Sequence, residues 1–235
     1  MTTRPSSAVV MDRDQAWQVI RAERLRVADL LDSLAVSDWD QPSLCAGWTV
    51  RDVAAHLTLQ QIGARAAVGM MVAYRGNTDR AIADRARQRA RAWPIANIIA
   101  EIRGTAGLPR HNFGVTYAET LIDVLVHAQD IAIPLGRDHP MPPEAAAAAA
   151  TRIWTMRWPP PFPARRAMEQ FRVTATDVAW SAGQGPLVRA PIRSILLVSA
   201  GRLAALPDMS GDGAAQMTAA LTSQAGKRTV EPFSS

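Results

Sequence analysis

One short segment divides the sequence into two parts with different folding preferences. Residues 159–163 read Pro-Pro-Pro-Phe-Pro, and no helix continues through such a run, because proline lacks a backbone N–H and clashes with the preceding turn. Before the run, apolar residues recur at helical spacing, whereas residues 171–180 after it are rich in the β-branched and aromatic residues typical of strands. We therefore expect an α+β chain, with a helical domain over residues 1–158 and a small α/β domain over residues 164–235.

The part before the proline run contains several helical patterns. In residues 13–34 the apolar positions repeat as on one helix face, and Arg21, Arg24 and Arg26 fall on the opposite face, which we expect to be exposed. Further helices are predicted over residues 49–74, 116–133 and 142–158, and residues 77–104 are predicted to be helical with a break at Trp93-Pro94. The arginine-rich start of the 77–104 segment predicts a solvated face, although one or two of its arginines could instead bind an anionic substrate.

The helix predicted over residues 116–133 carries an ionisable pair in apolar surroundings. Asp123 and His127 are four residues apart, about one helical turn, so both side chains point the same way. A carboxylate and an imidazole at this spacing can bind one metal ion together. The alternative is a surface ion pair, but the neighbouring residues are nearly all apolar, and burying an ionisable pair without a partner is costly. Asp130, three residues beyond His127, could accept a hydrogen bond from the other imidazole nitrogen.

A third candidate ligand, His56, lies on a different predicted helix. Thr49 and Asp52 have the spacing of a capping box, in which each side chain accepts from the other residue's backbone N–H, so they predict a helix start. His56 follows within two turns, flanked by alanine and leucine. A single histidine on an apolar helix face is more often a hydrogen-bonded core residue than a ligand, but the Asp123 and His127 pair favours the ligand interpretation.

Composition limits the compartment and the class of partner. The chain has 235 residues, of which 48% are hydrophobic and 20% charged, enough to bury a full core. Cys45 is the only cysteine, which excludes an internal disulfide and favours a reducing compartment. It is interpreted as a small buried residue rather than a nucleophile. Because residues 1–11 lack an apolar signal segment and no run is long enough to span a membrane, we expect a cytoplasmic protein without membrane contact.

The positive charge does not indicate nucleic-acid binding. The net charge is only +5, and Lys227 is the single lysine among many arginines. Arginine in place of lysine together with abundant alanine is typical of a GC-rich genome, so we expect no nucleic-acid partner. The sequence also shows no Ser-His-Asp order, glycine-rich phosphate loop or cysteine cluster, which argues against the reaction classes that use them.

Two segments resemble a known family. Residues 34–57, LAVSDWDQPSLCAGWTVRDVAAHL, contain a D-W-x-x-P turn, a G-W-[TS]-V-[RK]-D helix start and then a histidine. Residues 123–137, DVLVHAQDIAIPLGR, contain an acid followed by H-x-x-D-I-x-x-P-L-G. Both are similar to signatures of the DinB-like, mycothiol-dependent maleylpyruvate isomerase family. The resemblance implies a four-helix bundle with a smaller C-terminal α/β domain, and a divalent metal, zinc for preference, bound by His56, Asp123 and His127. Asp123 stands where glutamate is commoner, and its shorter side chain should still reach the ion.

The resemblance also implies a reaction. Mycothiol, a low-molecular-weight thiol of high-GC Gram-positive bacteria, would be the cosubstrate of a transferase or isomerase acting on an electrophilic small molecule. Arg202, in the C-terminal domain, is the arginine we expect to bind the thiol or substrate, since a guanidinium binds carboxylates at two points; alternatively it only ends a helix. Two other hypotheses stay open, namely a non-catalytic metal-binding sensor or binding module and a site in which no metal binds.

Overall fold

The chain forms a helix-rich α+β structure with one small sheet. A computed structural model describes residues 10–59, 63–74, 76–157 and 162–230. The helices are α1 Arg13–Asp32, α2 Val50–Leu57, α3 Ala64–Ala73, α4 Thr78–Ala92, α5 Ile95–Thr105, α6 Tyr117–Ala132, α7 Pro143–Thr155, α8 Pro163–Met168, α9 Ile192–Ser199 and α10 Ala214–Val230. The strands are β1 Arg172–Ala175, β2 Ser181–Ala182 and β3 Leu187–Ala190. The predicted α+β class, helical first and with strands afterwards, is confirmed.

The chain divides into two compact units. One is Asp12–Pro140, and the other combines Met141–Ser235 with Met1–Met11. The expected domain boundary at residue 158 lies outside the described residues and stays a prediction. Helix α7 packs on α9 in the second unit, and its alanine run 145–150 is almost entirely buried. The independent folding of residues 1–158 and 164–235 stays a prediction.

In the unit Asp12–Pro140, helices α1, α2, α5 and α6 supply most of the core. Its fully buried members include Val27 of α1, Val53 of α2, Ile98 of α5 and Ile131 of α6. Helix α1 packs on α5 and α6, and α2 packs on α4, α5 and α6. The helical nature of this unit is as expected, and its finer description as a four-helix bundle stays a prediction.

One predicted helix is wrong. Residues 49–74 were expected to form a single helix, but α2 ends at Leu57 and α3 begins only at Ala64, with Ile62 between them outside the described residues. At the end of α2 the Thr58 hydroxyl donates to the carbonyl oxygen of Ala55 at 2.7 Å. A threonine hydroxyl that binds the backbone in this way competes with continuation of the helix, and Gly63 further disfavours it.

The second unit contains a mixed three-stranded sheet of order β2-β1-β3. Strand β1 runs antiparallel to β2 and parallel to β3, with Val173 opposite both Ala182 and Val188. The turn 183–185 joins β2 to β3, and α9 follows β3. Indole N–H groups connect α7 to the rest of this unit, from Trp154 to Ser199 at 3.2 Å and from Trp180 to Thr151 at 3.0 Å. Within the part of the chain that is described, no helix combines the length and apolar character needed to cross a membrane.

Candidate metal centre

His56 is positioned by the start of α2. The Thr49 hydroxyl accepts from the Asp52 N–H at 3.2 Å, and the Asp52 carboxylate accepts from the Thr49 N–H at 3.0 Å. This is the capping box that the sequence predicts, and it fixes the helix start two turns before His56. The edge of Trp48 packs against the His56 ring, with 5.6 Å between ring centroids. His56 is therefore fixed by its helix on one side and by the preceding loop on the other.

The loop 41–48 before α2 is bound to α6. The Leu44 N–H donates to the Asp130 carbonyl oxygen at 3.1 Å, and the Trp48 N–H donates to the Cys45 carbonyl oxygen at 3.0 Å. Gly47 lies in the left-handed region at φ 74°, where a side chain would be strained. The loop thus connects the helix that carries His56 to the helix that carries Asp123 and His127.

The three predicted ligands meet in one place. The Asp123 Oδ1 atom lies 3.1 Å from His56 Nε2 and 3.5 Å from His127 Nε2. The two imidazole rings have centroids 4.8 Å apart. The side chains of His56, Asp123 and His127 are 12%, 28% and 13% exposed, so the set is mostly buried but reachable from solvent. The structure therefore brings together two imidazoles and one carboxylate that the sequence separates by up to 71 positions.

These separations fit donor atoms around one cation. Bond lengths of about 2.1 Å at tetrahedral angles place zinc ligands about 3.4 Å apart, close to the two distances at Asp123. The protonation of His127 gives a second test. Its Nδ1 lies 2.8 Å from Asp130 Oδ2 and donates there, so a neutral imidazole has a lone pair on Nε2. That lone pair faces the Asp123 carboxylate, an unfavourable contact unless a metal ion or a proton lies between them.

The pKa values of Asp123 and His127 also reflect the need for a positive charge between the two side chains. Burial alone would raise the pKa of Asp123, but the charges of His127 and His56, with hydrogen bonds from both, hold this pKa far below its ordinary value. Burial lowers the pKa of His127, yet the charge of Asp123 and hydrogen bonds to Asp123, Asp130 and Cys45 bring it well above its ordinary value. In the absence of a metal, a proton on His127 takes the position between imidazole and carboxylate that a cation would occupy.

Two polar residues support His127 from the side away from Asp123. The Asp130 side chain is fully buried, and the Cys45 thiol donates to its Oδ2 at 3.0 Å. Asp130 has the contact that its spacing from His127 predicts. The Cys45 contact was missed, because no spacing rule relates residues 85 positions apart. Cys45 is only half-buried and packs on the core as a small apolar residue would, but it also has this polar partner.

Cys45, His127 and Asp130 also form a cluster of potential metal ligands. Its distances differ from those of the first set. The carboxylate oxygen lies 2.8 Å from nitrogen and 3.0 Å from sulfur, closer than donor atoms that share a zinc ion and in the range of hydrogen bonds. In the first cluster the 3.1 Å contact of His56 with Asp123 is also within hydrogen-bond range, but the 3.5 Å contact of His127 with Asp123 is longer.

Arg24 is buried beside this centre, so the prediction that it lies on the exposed face of α1 is wrong. Only 5% of the residue is exposed. Its guanidinium donates to the carbonyl oxygens of Thr105, the last residue of α5, and of Leu108 at 3.4 and 3.3 Å. Burial lowers the pKa of Arg24, and the negative charge of Asp123 opposes this shift. A fixed positive charge therefore acts on the Asp123 carboxylate, which helical periodicity did not predict.

The other arginines considered in the sequence have structural contacts. In α4, Arg87 donates to the Gly47 carbonyl oxygen at 3.1 Å, and Arg89 donates to Thr58 at 3.1 Å while lying over the Trp93 ring. In the second unit, Arg202 donates to the Ala200 carbonyl oxygen at 2.7 Å, just beyond the end of α9. This contact is the one a helix-end residue makes, and the role of Arg202 in binding stays a prediction.

Part of the chain, including two residues of the site, matches a known protein family. Residues 20–112 match the family model of the mycothiol maleylpyruvate isomerase N-terminal domain. This range includes Cys45 and His56 and ends before Asp123. No curated protein shows a significant sequence match to the chain.

Two crystal structures of a mycothiol-dependent maleylpyruvate isomerase have a similar fold. One, of a histidine-to-alanine mutant, gives a TM-score of 0.54 at 13% identity over 82% of this chain and 90% of that chain. The other gives a TM-score of 0.52 at 16% identity with the same coverage. At such identities the likeness shows the fold alone, and that fold agrees with the family indicated by the sequence. The resemblance to the mycothiol-dependent maleylpyruvate isomerase family is thus confirmed, by the domain model that matches residues 20–112 and by the fold.

Proposed function

We propose that the protein is a metal-dependent, mycothiol-using isomerase or transferase. His56, Asp123 and His127 would hold a divalent metal ion, and two imidazoles with one carboxylate favour zinc. An ion bound there would deprotonate a coordinated thiol to the nucleophilic thiolate at neutral pH. The family match and the fold similar to a mycothiol-dependent maleylpyruvate isomerase support mycothiol as the thiol. An electrophilic small molecule would be the second substrate.

The observation that carries this proposal is the contact between His127 and Asp123. The Nδ1 of His127 donates to the buried Asp130, which directs the lone pair of Nε2 toward the Asp123 oxygen 3.5 Å away. A side-chain arrangement that turns a lone pair toward a carboxylate is stabilised by a cation. The His56 Nε2 atom reaches the same oxygen from another helix, so the three groups surround one position.

Three protein ligands favour catalysis over a structural role. Structural zinc sites use four protein ligands, whereas catalytic sites use three and leave a position for water or substrate. The 28% exposure of the Asp123 side chain shows that solvent reaches the ligand set. Asp130 holds the His127 tautomer, and the positive charge of Arg24 acts on Asp123 from within the protein. These residues orient the ligands and balance their charge without occupying the open position.

Metal content tests the ligand assignment. We expect one equivalent of zinc in the purified protein and a loss of most of it in His127→Ala. His111→Ala is the matched control, because His111 is exposed and hydrogen-bonds locally, to the Asn112 carbonyl oxygen. Equal zinc in His127→Ala and in the control would show that His127 is not a ligand.

A turnover assay tests the use of the metal. The zinc-loaded protein should convert maleylpyruvate, or another electrophile of a small panel, only when mycothiol is present, and His127→Ala should be inactive. A protein that binds zinc but consumes none of the electrophiles with mycothiol would favour the alternative of a non-catalytic metal-binding module. Conversion that is independent of mycothiol would contradict the proposed cosubstrate.

A further inference from the structure

Two hydrogen bonds meet on one buried oxygen next to the proposed ligands. The Asp130 Oδ2 atom accepts from His127 Nδ1 at 2.8 Å and from Cys45 Sγ at 3.0 Å. The Asp130 side chain is completely buried, so these donors stabilise a carboxylate that water does not reach. The Cys45 Sγ and His127 Nδ1 atoms are themselves 3.7 Å apart. The thiol and the imidazole thus lie side by side on the same oxygen.

We propose, resting on the function proposed above, that Cys45 is a positioning residue of the metal centre. Its thiol donates to Asp130 and keeps the carboxylate turned so that Oδ2 accepts from His127 Nδ1. His127 then presents Nε2 to the metal. Cys45 acts through Asp130 and His127 and does not touch the ion.

The backbone around Cys45 explains how a loop residue holds a fixed orientation. The Cys45 N–H donates to the Ser43 hydroxyl at 3.1 Å, and the Cys45 carbonyl oxygen accepts from the Trp48 N–H at 3.0 Å. The neighbouring Leu44 N–H donates to the Asp130 carbonyl oxygen at 3.1 Å. Because none of these bonds uses the thiol, replacing Cys45 removes the contact to the carboxylate while the loop keeps its attachment to α6.

The same geometry argues against a nucleophilic Cys45. A thiolate at this position would lie 3.0 Å from a buried carboxylate oxygen, and two like charges at such a distance repel strongly. As a thiol, Cys45 instead supplies the hydrogen that the carboxylate accepts.

His56 lacks an equivalent support. Its Nδ1 atom is buried and has no hydrogen-bond partner among the described residues, and Trp48 contacts its ring only by packing. The loop 41–48 therefore holds the two histidines in different ways, by a hydrogen-bond relay at His127 and by an aromatic edge at His56. The relay makes His127 the better oriented ligand.

Metal affinity and a Co²⁺ absorption spectrum test the relay without an activity assay. Zinc affinity, measured by competition with a chromophoric chelator, should fall about 2- to 10-fold in Cys45→Ala, the range of one hydrogen bond. Cys45→Ser keeps an O–H donor and should restore most of the loss. Asp130→Asn should cost about 10- to 100-fold, as is usual for partners of metal-bound histidines. The visible bands of bound Co²⁺ should shift in Cys45→Ala and return toward wild type in Cys45→Ser.

A double-mutant cycle identifies the route of the effect. If Cys45 acts through Asp130, adding Cys45→Ala to Asp130→Asn should change the affinity less than about 2-fold, the lower end of one hydrogen bond. Wild-type affinity and spectrum in Cys45→Ala, or fully additive losses in the double variant, would overturn the proposal. So would two zinc equivalents in the wild type that fall to one in Cys45→Ala, which would make Cys45 a ligand of a second ion. Failure of the metal centre itself would be seen separately, as full zinc retention in His127→Ala.

Discussion

The buried pair formed by Glu23 and His139 should be a large contributor to the stability of the unit Asp12–Pro140. The Glu23 carboxylate accepts from His139 Nε2 at 2.6 Å, and the two side chains are 1% and 5% exposed. Glu23 also pairs with Arg26 on the same helix. The Gln129 amide donates to the His139 carbonyl oxygen at 2.7 Å, so the pair joins α1 to the segment that follows α6.

The magnitude follows from what each substitution leaves behind. Glu23→Ala removes the acceptor from a buried imidazole and leaves a small cavity, and breaking a buried pair costs about 3–5 kcal/mol. Arg26 is 38% exposed in its side chain and can turn to solvent, so its loss adds little. Glu23→Gln keeps the size and offers an amide oxygen to His139. It should therefore lower the free energy of unfolding by about 1–2 kcal/mol, less than Glu23→Ala, which leaves the imidazole donor unsatisfied.

Urea denaturation at constant pH measures both variants. Because the chain has two compact units, urea can unfold them in separate transitions. Trp154→Phe changes the second unit, so the transition that it alters is assigned to that unit. Zinc content should stay unchanged in the folded Glu23 variants, because Glu23 is not a proposed ligand. A loss below about 1 kcal/mol for Glu23→Ala, less than one unsatisfied buried group, would refute the reasoning. Equal losses for the two substitutions would show that the acceptor oxygen is irrelevant.

Three further predictions concern the site and the units. The pKa of His127 is raised in the metal-free protein, so zinc binding should release a proton at slightly alkaline pH, where an ordinary histidine is already neutral, and zinc affinity should fall as pH decreases. Calorimetry in buffers of different ionisation enthalpy measures the number of protons released. Zinc binding without proton release would contradict the raised pKa. Arg202→Ala should keep its zinc and raise the mycothiol concentration for half-maximal rate, and an unchanged thiol dependence would leave Arg202 a helix-end residue. A fragment of residues 12–140 should bind zinc, since it contains all three ligands, whereas residues 1–158 would carry α7 without its partner α9 and should be less soluble; a soluble, zinc-free 12–140 fragment would count against the ligand set.

Local patterns predicted the parts of the centre that are close in sequence. The capping box at Thr49 and Asp52 and the one-turn spacing of Asp123 and His127 depend on helix geometry alone, so they could be read without a structure. The meeting of His56 with that pair was suggested by the family resemblance and by the need to balance a buried carboxylate. Its place on α2 was right even though the length of that helix was wrong.

The parts that were missed depend on contacts between distant segments. Arg24 and Glu23 look like exposed residues on a charged helix face, and only the packing of α1 against α5 and α6 buries them. The hydrogen bond between Cys45 and Asp130 joins a loop to a helix, and no periodicity relates the two. The alanine run of α7 predicts a helix well, but not which unit that helix joins, because alanine packs closely against almost any neighbour.

The charges around the proposed metal centre would favour an anionic ligand in its open position. With both histidines neutral, Asp123 and Asp130 contribute two negative charges, which a divalent ion would balance. Arg24 adds a buried positive charge that acts on Asp123, so the metal-loaded centre would have a net charge of about +1. A buried net charge is costly unless it is compensated, and a thiolate in the open position would compensate it. A neutral water would leave it uncompensated, whereas a deprotonated ligand, either a thiolate or a hydroxide, would balance it.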